Sequence, residues 1–216
     1  MSNHLSIIAQ GVAEGDAQMV ESTVSQALDA GTAAGDILAK ALIPGIQALG
    51  QLFKDGEAYL PEILISTRAM KIGIDKLKPY LTEKDTQQKG IVVIGTVEGD
   101  MHDIGKNLVK LMLESNGFEI HDLGVDVSPE TFARITQEVD ANIVAISALL
   151  TTTMIQIPYI VDALERASLR DSVKVMIGGA PVTRAFAQSI GVEGYADDCA
   201  SAVDEAEYLM KLANKL

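Results

Sequence analysis

Cysteine is nearly absent from this chain: among 216 residues only Cys199 carries a thiol, so an intrachain disulfide framework is excluded. Histidine is scarce too, and with that one thiol the soft donors for a transition metal are His4, His102, His121 and Cys199. A zinc site needs three or four nitrogen, sulfur or carboxylate donors, and these positions show no zinc spacing. Basic residues are outnumbered, with 17 Lys and Arg against 30 Asp and Glu for a net charge of -13 and no basic run. Nucleic acid is thereby disfavoured as a partner. No uninterrupted apolar run reaches the about 18 residues of a membrane span, and residues 1–10 lack a charged-then-apolar leader, so a cytoplasmic protein with no membrane partner is expected. Cys199, in an apolar-periodic stretch, reads as a packed thiol rather than a nucleophile. His121 alternates with Phe118 and Ile120 and reads as a surface or satisfied histidine, and His4 as a tail residue.

What is present points to two units. The length exceeds the roughly 100 to 150 residues of a typical domain, and residues 81–90 are polar without apolar periodicity. Before that stretch there is no convincing strand but helical spacing over about 5–12, 17–30, 33–54 and 60–81, which predicts a four-helix bundle over residues 1–82. Asp16 and Pro61 are start signals, and Pro44 should kink or split the third helix. From residue 90 to 216 strands and helices alternate, which predicts an α/β fold with a doubly wound, mainly parallel five-stranded sheet.

The strongest chemical signal lies just past the first strand. Ile91-Val92-Val93-Ile94 breaks at Gly95, Gly99 and Asp100 before 107–112 takes helical spacing, so Asp100-Met101-His102-Asp103-Ile104-Gly105 sits on a strand-to-helix loop, facing the ligand crevice of an open α/β fold. Asp100, two residues from His102, can accept one ring N–H, fix the tautomer and raise the basicity of the other nitrogen. One histidine does not hold a metal ion, which leaves a macrocyclic cofactor to which the protein supplies a single axial donor. Gly105 would let the first helical turn approach a bulky flat ligand.

D-x-H-x-x-G, within Gly99-Asp100-Met101-His102-Asp103-Ile104-Gly105-Lys106-Asn107, resembles the corrinoid proteins of cobalamin-dependent methyltransferase systems and the cobalamin-binding module of methionine synthase. The resemblance implies a Rossmann-like cobalamin domain holding the cofactor base-off/His-on, with His102 as axial cobalt ligand, Asp100 as its relay partner, and Gly99, Met101, Asp103, Ile104 and Gly105 around the corrin. The family's S-x-L follows the run 142–146 as Ser147-Ala148-Leu149, which implies that Ser147 and Leu149 meet the cofactor, with Thr151 lining the tunnel for its tail. Thr153 stands where methionine synthase completes a His-Asp-Ser relay; an equal reading makes Thr152 or Thr153 the N-cap of a helix over 154–167, with Pro158 near its start. Gly178-Gly179 after the strand 173–177 implies close approach to the tail, although any tight strand-to-helix turn uses glycine. Tyr195 and Ala196 would close over the nucleotide end, while Asp198 departs from the family's Ala. In the bundle, Tyr59 and Leu64 resemble the aromatic and aliphatic residues of a cap over cobalt; Leu60, Ile63, Leu64, Met70 and Ile74 read equally as a core stripe.

By this resemblance the chain is a non-catalytic carrier subunit. It would accept a methyl group on cob(I)alamin from a substrate-specific partner methyltransferase and pass it on as methylcob(III)alamin to an acceptor methyltransferase serving coenzyme M or tetrahydrofolate. A reductive activator protein would restore the reduced state. Methanol, methylamines, betaines and aryl methyl ethers are all donors open to the family. A cobalamin-dependent sensor would use the same domain as a switch but usually carries an attached signalling unit. A flavodoxin-like or receiver domain would use Asp100 as its strand-end carboxylate and leave S-x-L and G-G unexplained, with Lys174 too early in its strand to be the usual partner.

Overall fold

The computed structural model describes residues 3–82 and 88–213; residues 83–87, within the polar stretch expected between the domains, and 214–216 lie outside the described residues. The backbone divides into two units, residues 1–87 with 115–117 and residues 88–114 with 118–216.

The first unit is helical: α1 (Asn3–Glu14), α2 (Ala17–Asp29), α3 (Ala34–Ile37), α4 (Ile43–Lys54) and α5 (Leu60–Leu77). His4 is therefore part of α1 rather than a tail. Asp16 caps α2 by accepting the Met19 N–H at 2.8 Å, and the Glu62 carboxylate accepts the Tyr59 N–H at the start of α5. Pro44 does not split the third rod. Leu38–Leu42 form a π-helical turn whose closing bond runs from the Ile43 N–H to the Leu38 carbonyl, so α3 and α4 continue through it. A proline lacks its N–H and its ring crowds the carbonyl four residues earlier, and a widened turn relieves both problems. The rods close on Ile8, Val24, Leu42, Ile46, Ile63 and Met70, all buried. At Gly45 two backbones approach closely, since a Cβ there would stand 2.6 Å from the Ala9 carbonyl oxygen of α1.

The second unit alternates β1 (Ile91–Thr96), α6 (Ile104–Ser115), β2 (Glu119–Asp122), α7 (Pro129–Glu138), β3 (Ile143–Ser147), α8 (Ile157–Arg166), β4 (Lys174–Gly178), α9 (Arg184–Ser189), β5 (Gly194–Ala196) and α10 (Cys199–Ala213). The sheet has order β2-β1-β3-β4-β5 and every pair is parallel, where the alternation of strands and helices predicted a mainly parallel one. Val93, Val144, Ile146 and Val175 pack with Phe132 of α7 and Leu164 of α8 in one buried cluster. Leu108 and Met112 of α6 and Leu209 of α10 are buried outside it, so the strands are covered on both faces. Strand order reverses between β1 and β3, and the loops leaving the carboxyl ends of these two strands flank the crevice that such a reversal opens.

Candidate functional site

Two loops meet at that crevice. The loop after β1 turns at Gly99, whose φ of 79° lies in the left-handed region that favours glycine, and the Asp100 N–H closes the turn on the Val97 carbonyl. The side chain of Asp100 is buried and fully bonded. Oδ1 accepts the His102 backbone N–H at 3.1 Å and lies 2.7 Å from His102 Nδ1. Oδ2 accepts the backbone N–H groups of Leu149 at 2.8 Å and Leu150 at 3.3 Å and the Thr153 hydroxyl at 2.7 Å. Burial alone would raise the pKa of this carboxyl, but the bonds from Thr153, Leu149 and His102 outweigh it and hold Asp100 well below the usual carboxylate range. An ionised carboxylate only accepts, so Nδ1 of His102 carries the hydrogen and Nε2 the lone pair.

The His102 side chain is 50% exposed, and among the described residues Nε2 has no hydrogen-bond partner. The two loops expose several large apolar side chains: Met101 is 68% and Ile104 73% exposed, and Leu149 and Leu150 are exposed as well. At Gly105 an added Cβ would meet nothing within 4 Å, so the protein itself does not demand glycine there and the space stands open. Among the described residues no group of three or more His, Cys, Asp or Glu side chains could hold a metal ion. A single outward lone pair on a fixed tautomer, an apolar rim and an open face fit a broad, largely apolar group whose metal already has its other ligands.

Thr153 does not cap a helix with its side chain. It precedes a short 3-10 turn (Met154–Gln156) leading into α8 and gives its hydroxyl to Asp100. Asp103 is exposed and bonds to α6: its carboxylate accepts the Asn107 amide at 3.0 Å and its carbonyl accepts the Asn107 N–H. Ser147 ends β3 in register with Thr96 of β1 and Gly178 of β4, and Thr151 is exposed in the following loop. The glycine pair meets protein on its own account, since a Cβ at Gly178 would stand 2.8 Å from the Ala196 carbonyl oxygen and one at Gly179, where φ is 119°, would collide with the Ala148 carbonyl. Tyr195 is half-buried under the Arg184 guanidinium, 5.2 Å from the ring centre, and Ala196 is buried. Asp198 caps α10 by accepting the Ala200 and Ser201 N–H groups.

In the helical unit Tyr59 is 65% and Leu64 53% exposed, with Leu60 and Ile65 beside them in sequence and also exposed. Leu60 and Leu64 therefore leave the expected core stripe, whereas Ile63 and Met70 remain in it.

Residues 90–205 match the family described as B12 binding domain, and residues 7–78 match a second model of the same description. The chain belongs to the B12-binding family. It is 39% identical over 212 residues to a corrinoid protein of Desulfitobacterium hafniense strain Y51, covering 97% of this chain and 95% of that protein. It is 43% identical over 176 residues to the dimethylamine corrinoid protein of Methanosarcina barkeri, covering 81% and 83%. Among solved structures it resembles a cobalamin-binding protein of D. hafniense DCB-2 (TM-score 0.81, 32% identity, 94% of this chain and 96% of that one). It also resembles a chain of the methanol:cobalamin methyltransferase complex of M. barkeri (TM-score 0.85, 29% identity, 99% and 84%). Among the described residues no helix is long and apolar enough to cross a membrane.

Three contributors to the site were not anticipated from the sequence. Leu150 acts through its backbone N–H, Thr96 gives its hydroxyl to the His102 carbonyl at 2.9 Å, and Asp126 accepts the Gly99 N–H at 2.7 Å. The only available signal was Asp126 between two valines after Gly124, a residue type that tolerates the left-handed backbone of turns.

Proposed function

We propose that this chain is a corrinoid methyl carrier of a methyltransferase system, with His102 Nε2 as the axial cobalt donor of a base-off cofactor. The observation that carries the reading is the outward lone pair of His102 beside a buried, fully bonded Asp100 in an apolar rim. A bound corrinoid supplies a cobalt centre that can accept a methyl group and give it up again. His102 would hold that centre through Nε2, and Asp100 fixes the ring that presents this nitrogen. Asp100, ionised and bonded at Nδ1–H, would stabilise a proton held at Nε2. Thr153 and the Leu149 and Leu150 N–H groups hold the charge of Asp100, so the proton resides on the imidazole rather than the carboxyl. Met101, Ile104 and Leu149 exclude water beside the macrocycle, with Gly99, Asp103 and Gly105 keeping the backbone close. Ser147, Thr151, Gly178, Gly179, Tyr195 and Ala196 would line the path of the cofactor's tail, and Tyr59 and Leu64, exposed in the helical unit, would be that unit's cofactor-facing residues.

Donor and acceptor chemistry belong to partners. The names of the relatives, dimethylamine corrinoid protein among them, support a methylamine or methanol methyltransferase as one partner; an acceptor methyltransferase and a reductive activator are part of the proposal that the carrier role itself calls for. The test is reconstitution with hydroxocobalamin. Stoichiometric uptake by the wild type, with loss of the histidine-coordinated absorption spectrum in His102→Ala, supports the reading; a wild type that stays colourless refutes it.

A further inference from the structure

Asp100 is held from two directions. Its carboxylate is anchored in the loop after β3, while its main chain is anchored by a different loop, the one joining β2 to α7. There Asp126 accepts the Gly99 N–H on Oδ1 at 2.7 Å and donates its own N–H to the Asp100 carbonyl at 3.0 Å, a reciprocal clamp on the two residues before the Met101-His102 step. Asp126 does so at φ 54°, in the left-handed region, which only glycine enters freely and which Asp tolerates better than most residues. The neighbouring Val97 and Val127 form an isolated parallel bridge that carries the β1–β2 side of the sheet up to this point. Without the clamp, the Gly99–Asp100 peptide could rotate about a carboxylate that stays fixed at its far end, and the ring of His102 would turn with it.

We infer that Asp126 is a positioning residue for the axial histidine: it sets the main-chain direction from which His102 reaches Asp100, and so the aim of Nε2. This rests on the carrier reading for its consequence at cobalt, but its geometric content applies to the protein without cofactor. Three substitutions separate the parts. Asp126→Asn keeps the acceptor and the left-handed tolerance, Asp126→Gly keeps the backbone geometry and loses the acceptor, and Asp126→Ala loses the acceptor and strains the backbone. In the cofactor-free protein, ring nitrogen chemical shifts of His102 at alkaline pH should report a single Nδ1–H tautomer for the wild type and Asp126→Asn, and a mixture for Asp126→Gly and Asp126→Ala. In the corrinoid-loaded protein, the fraction with histidine on cobalt should be wild-type in Asp126→Asn and its ligation equilibrium weaker by about 10-fold in Asp126→Gly. Wild-type ring shifts in a folded Asp126→Gly protein overturn the inference. A wild type that binds no corrinoid overturns the carrier reading instead, and the cofactor-free ring shifts still decide the role of Asp126.

Discussion

At the scale of single residues, chemistry is concentrated in one carboxylate. Asp100 gathers five hydrogen bonds, three of them on the oxygen facing away from His102, and this asymmetry makes it an anchored acceptor rather than a mobile proton carrier. Asp100→Ala should weaken cobalt ligation by about 10- to 100-fold, read as the fraction of loaded protein with the histidine-coordinated spectrum. Thr153→Ser should retain most of that fraction, because the hydroxyl is what matters, and Thr153→Ala should not. Cys199 behaves oppositely to a functional thiol. Burial first, then the neighbouring Asp198 charge, push it up to about 11, so it should be alkylated by iodoacetamide at pH 8 only as fast as the protein opens, and at the rate of a free thiol once unfolded in urea. Rapid alkylation of the native protein would contradict its packed position.

At the scale of elements, glycines mark where backbones touch. Gly95 lies under the tip of Phe132, and a Cβ there would stand 2.7 Å from Cζ. Gly95→Val should therefore displace the ring of α7 from the strand, while Phe132→Ala empties the same space. The latter should cost about 3–5 kcal/mol of unfolding free energy in urea titration. A loss under 1 kcal/mol would mean that α7 does not depend on this contact. The elements also show what a sequence can and cannot disclose. Periodicity located the helical rods and the strands, since burial on one stripe or on both faces writes itself into residue spacing. Asp100 and His102 were legible because their contact is local, two residues apart. Pro44 was legible as an irregularity but not in its outcome, because whether a helix breaks or widens is decided by the rods packed around it. Leu60 and Leu64 fit a core stripe by spacing and stand exposed, since spacing names a face and not what covers it. The Leu150 N–H and the Asp126 clamp were out of reach, one being main chain and the other depending on how two loops far apart in sequence meet.

At the scale of the whole molecule, the acidic excess hides carboxylates that work structurally. Asp122 receives Lys106, whose side chain is 2% exposed, at 2.6 Å, and Lys110 at 2.9 Å; burial would raise its pKa, but these cations and the Gly124 N–H bring it down to about 2. Glu193 takes Arg170 in a two-pronged bond and is lowered as well, burial notwithstanding. A carboxyl lowered by folding stabilises the protein above its unfolded pKa and ceases to do so as pH falls through the folded value. The contribution of these carboxyls should thus be constant above about pH 5 and decline between about pH 4 and 2. Asp122→Asn should be less stable than wild type at pH 7 by at least about 2 kcal/mol, with a smaller difference at pH 2, as measured by urea unfolding. Equal loss at both pH values would show that the charge of Asp122 is not what the fold uses.

The account as a whole turns on which nitrogen occupies the lower face of cobalt. Protein labelled with 15N at histidine only, loaded with unlabelled corrinoid and brought to the paramagnetic cobalt(II) state, distinguishes the candidates by the electron spin resonance splitting from the axial nitrogen. Two-line splitting in place of the three lines of unlabelled protein is the result expected if His102 is the ligand, and it should vanish in His102→Ala. Three lines that persist in the labelled protein would place the cofactor's own base on the metal and contradict the role assigned to His102.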